Sequence, residues 1–205
     1  MRDFDKDLET LALKIRSRLS EKRFEHTIGV CRMAKKLANY CLPTESKDIV
    51  AAALLHDVAK EISIDELMNI MDLEHVELTN MDAPPIYHSY AAPYVVKTDF
   101  PEFATNNILS AIARHTVGDA DMTVFDEIIF LADYIEEGRT YIDCIETREF
   151  LLSMLVDGDL NNNVNALHKA CIMSMDRTCK SLVEKGRTVN PRTMAAKKAL
   201  QAKIY

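Results

Sequence analysis

The sequence predicts an all-α protein with a single domain, on three observations. Apolar residues recur at helical spacing along most of the 205-residue chain. Strand-like alternation and glycine-rich hairpins are missing, and the chain contains only 5 Gly and 6 Pro. No repeat or linker divides it, so we expect one domain over 1–205, with the functional core at about 18–140 and C-terminal helices from 141–205 packing on it.

Helix boundaries in the first half of the chain follow from apolar periodicity and capping residues. The run at 49–59 is apolar apart from His56 and Asp57, which is typical of a helix buried on every side. Gly29 falls inside the second helix and indicates close backbone approach. The predicted helices are 7–19, one capped by Ser20 and ending near Pro43, 46–60, and one that starts with a capping box at Ser63 and ends at about Met71.

The second half of the chain continues the helical pattern after a polar loop at 72–85. Pro93 either kinks a helix at about 86–97 or lies in the first turn of a later start. Gly186 marks a helix end, and Asn190-Pro191 marks a new start. The other predicted helices run from a cap at Asn106 or Asn107 to His115, from Thr123 to Ile135 after a turn at 116–122, near 145–156, over 160–185, and from Asn190 to the terminus.

Composition narrows the functional classes. The net charge of −7 argues against a general binder of nucleic acids or anionic membranes, both of which favour basic surfaces. Five cysteines without a CxxC spacing indicate reduced thiols. The charged start at 1–7 does not resemble a signal peptide, and no apolar stretch approaches the roughly 20 residues of a membrane span. We therefore expect a cytoplasmic protein.

Two buried polar residues point to a metal. His56 and Asp57 end the most hydrophobic run of the chain, where an unpartnered imidazole and carboxylate would be strongly unfavourable. Asp133 poses the same problem inside a second strongly apolar helix, Thr123 to Ile135. A metal ion is one partner that makes such burial tolerable, whereas a satisfied hydrogen-bonded pair is the plainer alternative for any one residue.

Six residues on or next to predicted core helices form the candidate ligand set. In chain order they are His26, His56, Asp57, His88, His115 and Asp133. Imidazoles and carboxylates without a thiolate favour Fe, Mn, Co or Zn in a catalytic site. We predict one ion held by His26, His56, Asp57 and Asp133. Asp57 could bridge to a second ion at His88 and His115, which could instead contact phosphate. His75 and His168 are interpreted as surface and structural residues.

Short segments around these residues are familiar. They are Arg23-Phe24-Glu25-His26-Thr27, Leu55-His56-Asp57-Val58-Ala59-Lys60, His88, Arg114-His115-Thr116-Val117-Gly118 and Leu131-Ala132-Asp133-Tyr134-Ile135. Together they resemble the HD-domain metal-dependent phosphohydrolase superfamily. The segment 132–139 and the tail 190–193 are more similar to the bacterial HD-type symmetrical bis(5'-nucleosyl)-tetraphosphatases, a resemblance that spans about 18–196.

This resemblance implies an HD-type helical bundle that splits diadenosine tetraphosphate into two ADP. It also implies iron, with Mn, Co or Zn as alternatives, and one or two ions. The expected chemistry is attack of metal-bound hydroxide on an inner phosphorus. Asp57 and Lys60 are the predicted catalytic residues. The predicted substrate-binding residues are Arg23, Lys60, His88, His115, Thr116 and Arg139.

Two alternatives remain open at this stage. The first is another HD phosphohydrolase, acting on mononucleotides or cyclic dinucleotides. The second is a non-catalytic helical binding module that keeps a metal for stability. For partners we expect a small nucleotide substrate, neither nucleic acid nor membrane, and an oligomeric state that the sequence leaves open, a homodimer included.

Overall fold

The computed structural model describes residues 6–79 and 81–204, and over these ranges it contains ten α-helices and no β-strand. The all-α prediction is confirmed. The helices are α1 (Lys6–Arg16), α2 (Glu21–Cys41), α3 (Ser46–Leu55), α4 (Ile64–Leu73), α5 (Tyr87–Asp99), α6 (Asn106–Arg114), α7 (Val124–Ile135), α8 (Ile142–Met154), α9 (Leu160–Glu184) and α10 (Pro191–Lys203). Short 3-10 turns at 43–45, 84–86 and 101–103 precede α3, α5 and α6.

Helices α2 and α7 are central to the bundle. Helix α2 packs on α3, α7 and α9, while α6 contacts α3, α5 and α7. Helix α7 also packs on α8 and α9, and α9 packs on α10. Side chains such as Leu55 on α3 and Ile129 on α7 are fully buried in the resulting core. Functional side chains on these helices can therefore be fixed by well-packed backbone rather than by exposed loops.

The helix predicted at 46–60 is shorter than expected, because α3 ends at Leu55. The following residues form turns, in which the amides of Val58 and Lys60 donate to the carbonyls of Leu55 and Asp57, three residues back. Nδ1 of His56 lies 2.8 Å from the carbonyl of Ala53, so a side chain uses an acceptor at the end of the helix. The apolar run correctly indicated burial, but burial does not require a helix.

Other boundaries differ by a few residues. The cap of α6 is Thr105, whose hydroxyl accepts from the amide of Ile108, so the predicted caps Asn106 and Asn107 are wrong. Pro93 lies inside α5 and not in its first turn. Ser20 is at the N-cap position of α2, but its hydroxyl donates to Glu61 instead of capping the helix.

Several sequence signals are confirmed. The predicted helix start at Thr123 is confirmed, and Thr123 and Asp126 form a full capping box there. Gly186 follows α9 with φ +64°, the left-handed conformation expected after a helix end. Among the helices that the structure describes, none combines the length and apolar character needed to cross a membrane. The charged residues 1–5 lie outside the described residues.

Candidate metal centre

Three of the predicted ligands meet between α2, the turn after α3, and α7. The ligand atoms of His26, His56 and Asp133 all lie within 4.8 Å of one another. Nε2 of His26 is 2.9 Å from Oδ1 of Asp133, and Nε2 of His56 is 4.0 Å from the same oxygen. Residues 107 positions apart in the sequence therefore form one compact group, which we call the first group.

The other three predicted ligands form a second group beside it. Asp57, His88 and His115 are buried, and their ligand atoms also lie within 4.8 Å of one another. Oδ1 of Asp57 is 3.3 Å from Nε2 of His88 and 3.6 Å from Nε2 of His115. Its other oxygen, Oδ2, is 3.7 Å from Nε2 of His56 in the first group. Asp57 therefore faces both groups, with one oxygen directed to each.

Two of the histidines are oriented by the same kind of contact, between Nδ1 and a backbone carbonyl three residues earlier. His56 and His115 each follow the last residue of a helix, α3 and α6. Nδ1 of His56 lies 2.8 Å from the carbonyl of Ala53, and Nδ1 of His115 lies 2.7 Å from the carbonyl of Ile112. A carbonyl can only accept, so the proton is on Nδ1 and Nε2 carries a lone pair directed into the centre.

His56 provides a direct test of whether these residues fit a metal. Its side chain is fully buried, and Nε2 has no hydrogen-bond partner among the described residues. An unsatisfied buried acceptor is unfavourable, and here it faces two carboxylates in a group of imidazole and carboxylate atoms. Such a donor set suits a divalent cation, so the site is able to hold a metal.

The protonation states of four of the predicted ligands agree with this fit. Burial lowers the pKa of His56 and of His88 to about 4, which keeps both rings neutral. Burial disfavours ionised carboxylates, yet the neighbouring histidines hold the pKa values of Asp57 and Asp133 well below the usual carboxyl range. Metal ligands must be deprotonated, and these four groups already are.

Glu136 is a residue of the centre that sequence reasoning missed. Its Oε1 is 3.1 Å from Nδ1 of His26, and its Oε2 accepts from the amide of Gly138 at 2.6 Å. Burial alone would raise the pKa of Glu136, but these hydrogen bonds outweigh it and hold that pKa below its ordinary value. Burial likewise opposes protonation of His26, yet its bonds to Asp133 and Glu136 raise the pKa of His26 to about 9. His26 is therefore protonated near neutral pH and would have to release a proton on binding an ion.

The sequence feature that could have indicated Glu136 is Gly29, which lies one turn after His26 on α2. A Cβ at Gly29 would collide with the carboxylate of Glu136, and one at Gly138 would come within 2.9 Å of it. The prediction of close approach at Gly29 is confirmed, and the approaching group is this side chain. Two glycines therefore leave the space in which Glu136 reaches His26.

The predicted substrate-binding residues surround the two groups. Nη1 of Arg23 is 3.2 Å from Oδ2 of Asp57, and Nη2 of Arg139 is 2.8 Å from Oδ1 of Asp133. Nζ of Lys60 is 3.0 Å from Nε2 of His88. Burial lowers the pKa of Lys60. The hydroxyl of Thr116 lies 3.1 Å from Nε2 of His115 and 3.3 Å from Nε2 of His88.

The two remaining histidines lie outside both groups. His75 is exposed in the loop after α4, with a φ of 54°. Nδ1 of His168 lies 2.6 Å from Oε2 of the buried Glu127, between α9 and α7. The two groups therefore contain four of the six histidines, each contributed by a different element.

Comparisons with known proteins agree with this architecture. The HD domain family matches residues 23–138. The chain is 32% identical over 180 residues to a symmetrical bis(5'-nucleosyl)-tetraphosphatase of Bacillus subtilis, which covers 87% of this chain and 89% of that protein. It is 29% identical to a protein of the same name from Halalkalibacterium halodurans, over 88% of this chain and 90% of that protein.

A solved structure shows the same fold. It is a predicted HD superfamily hydrolase from Clostridium acetobutylicum, described as involved in NAD metabolism. The two chains superimpose with a TM-score of 0.80 at 28% identity, covering 95% of this chain and 97% of that one. The family match extends over more than half of the chain, from before His26 to after Asp133. This chain belongs to the HD-domain family.

Proposed function

We propose that this protein is a metal-dependent phosphohydrolase that splits dinucleoside tetraphosphates symmetrically, giving two ADP from diadenosine tetraphosphate. The observation that carries the proposal is the pair of adjoining His/Asp groups with Asp57 facing both. The names of the Bacillus and Halalkalibacterium relatives support this substrate. The same comparisons support assignment to the HD-type phosphohydrolases.

We propose His26, His56, Asp57 and Asp133 as ligands of one ion, with Asp57 bridging to a second at His88 and His115. Iron is the proposed metal, with Mn, Co and Zn as alternatives for the same donor set. When bound, such ions make a coordinated water more acidic and polarise phosphoryl oxygens. Two adjoining groups that share one carboxylate support two ions rather than one.

The cations around the centre act on the substrate itself. A tetraphosphate carries several negative charges, and Arg23, Lys60 and Arg139 provide positive charge next to Asp57 or Asp133. The planar guanidinium groups of Arg23 and Arg139 suit two-point contact with phosphate oxygens, whereas Lys60 provides a compact charge. Thr116 adds a hydroxyl donor beside His88 and His115. Together they hold the phosphate chain in line for attack.

We further propose one HD-type domain over 1–205, with the metal core at about 18–140. The described C-terminal helices support this, since α8 and α9 pack on α7 and α10 packs on α9. Asp133 lies on α7, so these helices support the element that carries a proposed ligand.

Product analysis tests the proposed function. The purified protein is supplied with Fe²⁺, Mn²⁺, Co²⁺ or Zn²⁺ under reducing conditions, and the products from diadenosine tetraphosphate are separated by chromatography. ADP alone is the expected result. ATP plus AMP, or activity only on mononucleotides or cyclic dinucleotides, would contradict it. The Asp57→Ala variant should be inactive, and unchanged turnover in that variant would support a non-catalytic role for the centre.

A further inference from the structure

A cleft of about 920 Å³ opens from His26 along the outer face of α2. One wall is α2, and the other is the segment 136–141 between α7 and α8. We propose that this cleft binds one nucleoside 5'-diphosphate half of the substrate, with Arg32, Lys36 and Tyr141 contacting the nucleoside and its 5'-phosphate. The proposal rests on the proposed function and adds a binding subsite to it.

The cleft lies where one nucleoside diphosphate half of the substrate would extend from the metal centre. His26, Arg23 and Arg139 line its inner end, where the scissile phosphates would lie. Ten residues separate His26 from Lys36, which at the rise of an α-helix is about 15 Å. The wall therefore extends well beyond the reach of the phosphates next to the centre. Its volume lies within the usual range for small-molecule sites.

The α2 wall presents a stripe of residues at helical spacing. Glu25, Gly29, Arg32 and Lys36 follow one another at intervals of four, three and four residues, so they share one face of α2. Gly29 presents no side chain to the cleft, and a Cβ there would run into the carboxylate of Glu136. This face of α2 therefore leaves space at Gly29, near the centre, and carries positive charge at Arg32 and Lys36, farther from it.

Arg32 and Lys36 carry charge that the protein itself does not neutralise. Both are exposed, and the described part of the chain gives neither of them an ion pair. Like charges four residues apart on a helix repel each other, and an anion between them would relieve that repulsion. The chain as a whole has a net charge of −7, so two neighbouring basic side chains without acidic partners among the described residues make this part of the cleft unusually positive.

Two of the four acidic residues that line the cleft are already engaged by hydrogen bonds within the protein. The carboxylate of Glu61 accepts from the amide and hydroxyl of Ser20. Glu136 is bound to His26 and to the amide of Gly138. Glu25 and Glu137 are the other acids that line it.

Tyr141 gives the cleft its aromatic surface. Its side chain is 74% exposed, at the start of α8 and within the lining of the cleft. An exposed aromatic ring is a platform on which any base can stack. Cations with an aromatic ring, next to a phosphohydrolase centre, match a nucleoside 5'-phosphate better than they match inorganic polyphosphate.

Binding measurements on the metal-loaded protein test the subsite, with ADP and inorganic pyrophosphate as probes in calorimetry. Tyr141→Ala should weaken ADP binding about fivefold or more, the value of one base stack, and leave pyrophosphate binding unchanged. Tyr141→Phe should bind ADP like the wild type. Equal loss for both probes in Tyr141→Ala would overturn the stacking role.

The basic pair is tested in the same way. The double variant Arg32→Ala/Lys36→Ala should bind ADP about tenfold more weakly, as expected for losing hydrogen bonds from charged groups. The matched control is Lys180→Ala/Lys198→Ala, which removes the same charge from exposed residues of α9 and α10 that do not line the cleft. ADP binding that is equal in the two double variants would overturn the proposal.

Kinetics separate this proposal from the proposed function. If the wild type produces ADP from diadenosine tetraphosphate, Arg32→Ala/Lys36→Ala should raise KM more than it lowers kcat, and an unchanged KM would overturn the subsite alone. If the wild type produces no ADP from that substrate, the proposed function fails. Selective loss of ADP affinity in the cleft variants would then still support the subsite.

Discussion

Glu136 accepts a hydrogen bond from Nδ1 of His26, 3.1 Å away, and this contact links the end of α7 to α2. The ring of His26 is thereby fixed with Nε2 2.9 Å from Asp133. In His56 and His115, Nδ1 is held in the same way by a backbone carbonyl, that of Ala53 or Ile112. The carboxylate of Glu136 therefore has the same orienting role for the ring of His26. Partners of this kind orient metal-bound imidazoles and raise their basicity.

Glu136→Ala should therefore weaken metal binding by about 10- to 100-fold, the usual effect of losing such a partner. The measurement is a competition titration of the purified protein against a chelator of known affinity. Glu137→Ala is the matched control, because Glu137 is the exposed neighbour of Glu136 and makes no contact with His26 that the structure records. Equal affinities in the two variants would show that Glu136 does not support the centre.

Gly29→Ala should weaken metal binding although it favours the helix. At an ordinary helical position this change stabilises by about 1 kcal/mol. Here the added Cβ would collide with the carboxylate of Glu136 and displace it from His26. Asn39→Ala, at an exposed site on α2, shows the effect of helix propensity alone. Higher thermal stability of metal-free Gly29→Ala with unchanged metal affinity would rule out the collision.

The sequence predicted the convergence of six residues because their burial is visible in the chain itself. His56, Asp57 and Asp133 lie in apolar runs, where an imidazole or carboxylate requires a partner. The structure brings all six within two adjoining groups. The periodicity also gave the order of the helices, with boundaries accurate to a few residues.

Glu136 could not be predicted in the same way. Glu136 follows an apolar helix, is next to another glutamate, and lies 110 residues from His26. That pattern is typical of an exposed surface charge. The predicted end of the helix at 46–60 was wrong for a related reason. Hydrophobicity reports that a residue is buried, but it does not report that a histidine side chain binds the carbonyl of Ala53 at the end of α3.

Lys60→Ala should lower kcat for diadenosine tetraphosphate by about 10²- to 10³-fold, the range for removing one electrostatic donor. Lys60 provides charge 3.8 Å from Asp57 and donates to His88, but as a cation it cannot be a metal ligand. The metal content of the Lys60→Ala protein, measured by elemental analysis, should therefore equal that of the wild type. Lys97→Ala, an exposed lysine of α5, is the control. Loss of metal from Lys60→Ala would show that its role is to support the ligands.

Metal binding should stabilise the protein against urea, because Nε2 of His56 lacks a partner among the described residues. At a free metal concentration 100 times Kd, the free energy of unfolding should rise by about 2.7 kcal/mol. A chelator should reverse this gain. His56→Ala should show a much smaller response than the wild type. The same metal-induced gain in both proteins would place the bound ion elsewhere.

A buried contact joins α7 to the C-terminal helices. Glu127 is fully buried, with Oε2 2.6 Å from Nδ1 of His168 on α9 and Oε1 3.3 Å from Nζ of Lys203 on α10. Removing one partner from such a pair leaves the other buried without compensation. Glu127→Ala should therefore lower the free energy of unfolding by about 3–5 kcal/mol in urea titrations.

Glu146→Ala is the control for this change, because Glu146 is exposed and paired with Arg177 at 2.6 Å. Its loss should cost at most about 1 kcal/mol, as for other surface ion pairs. Equal stabilities of the two variants would contradict the buried pair. Metal affinity of the folded Glu127→Ala protein should match the wild type, since neither Glu127 nor His168 belongs to the two groups of the centre.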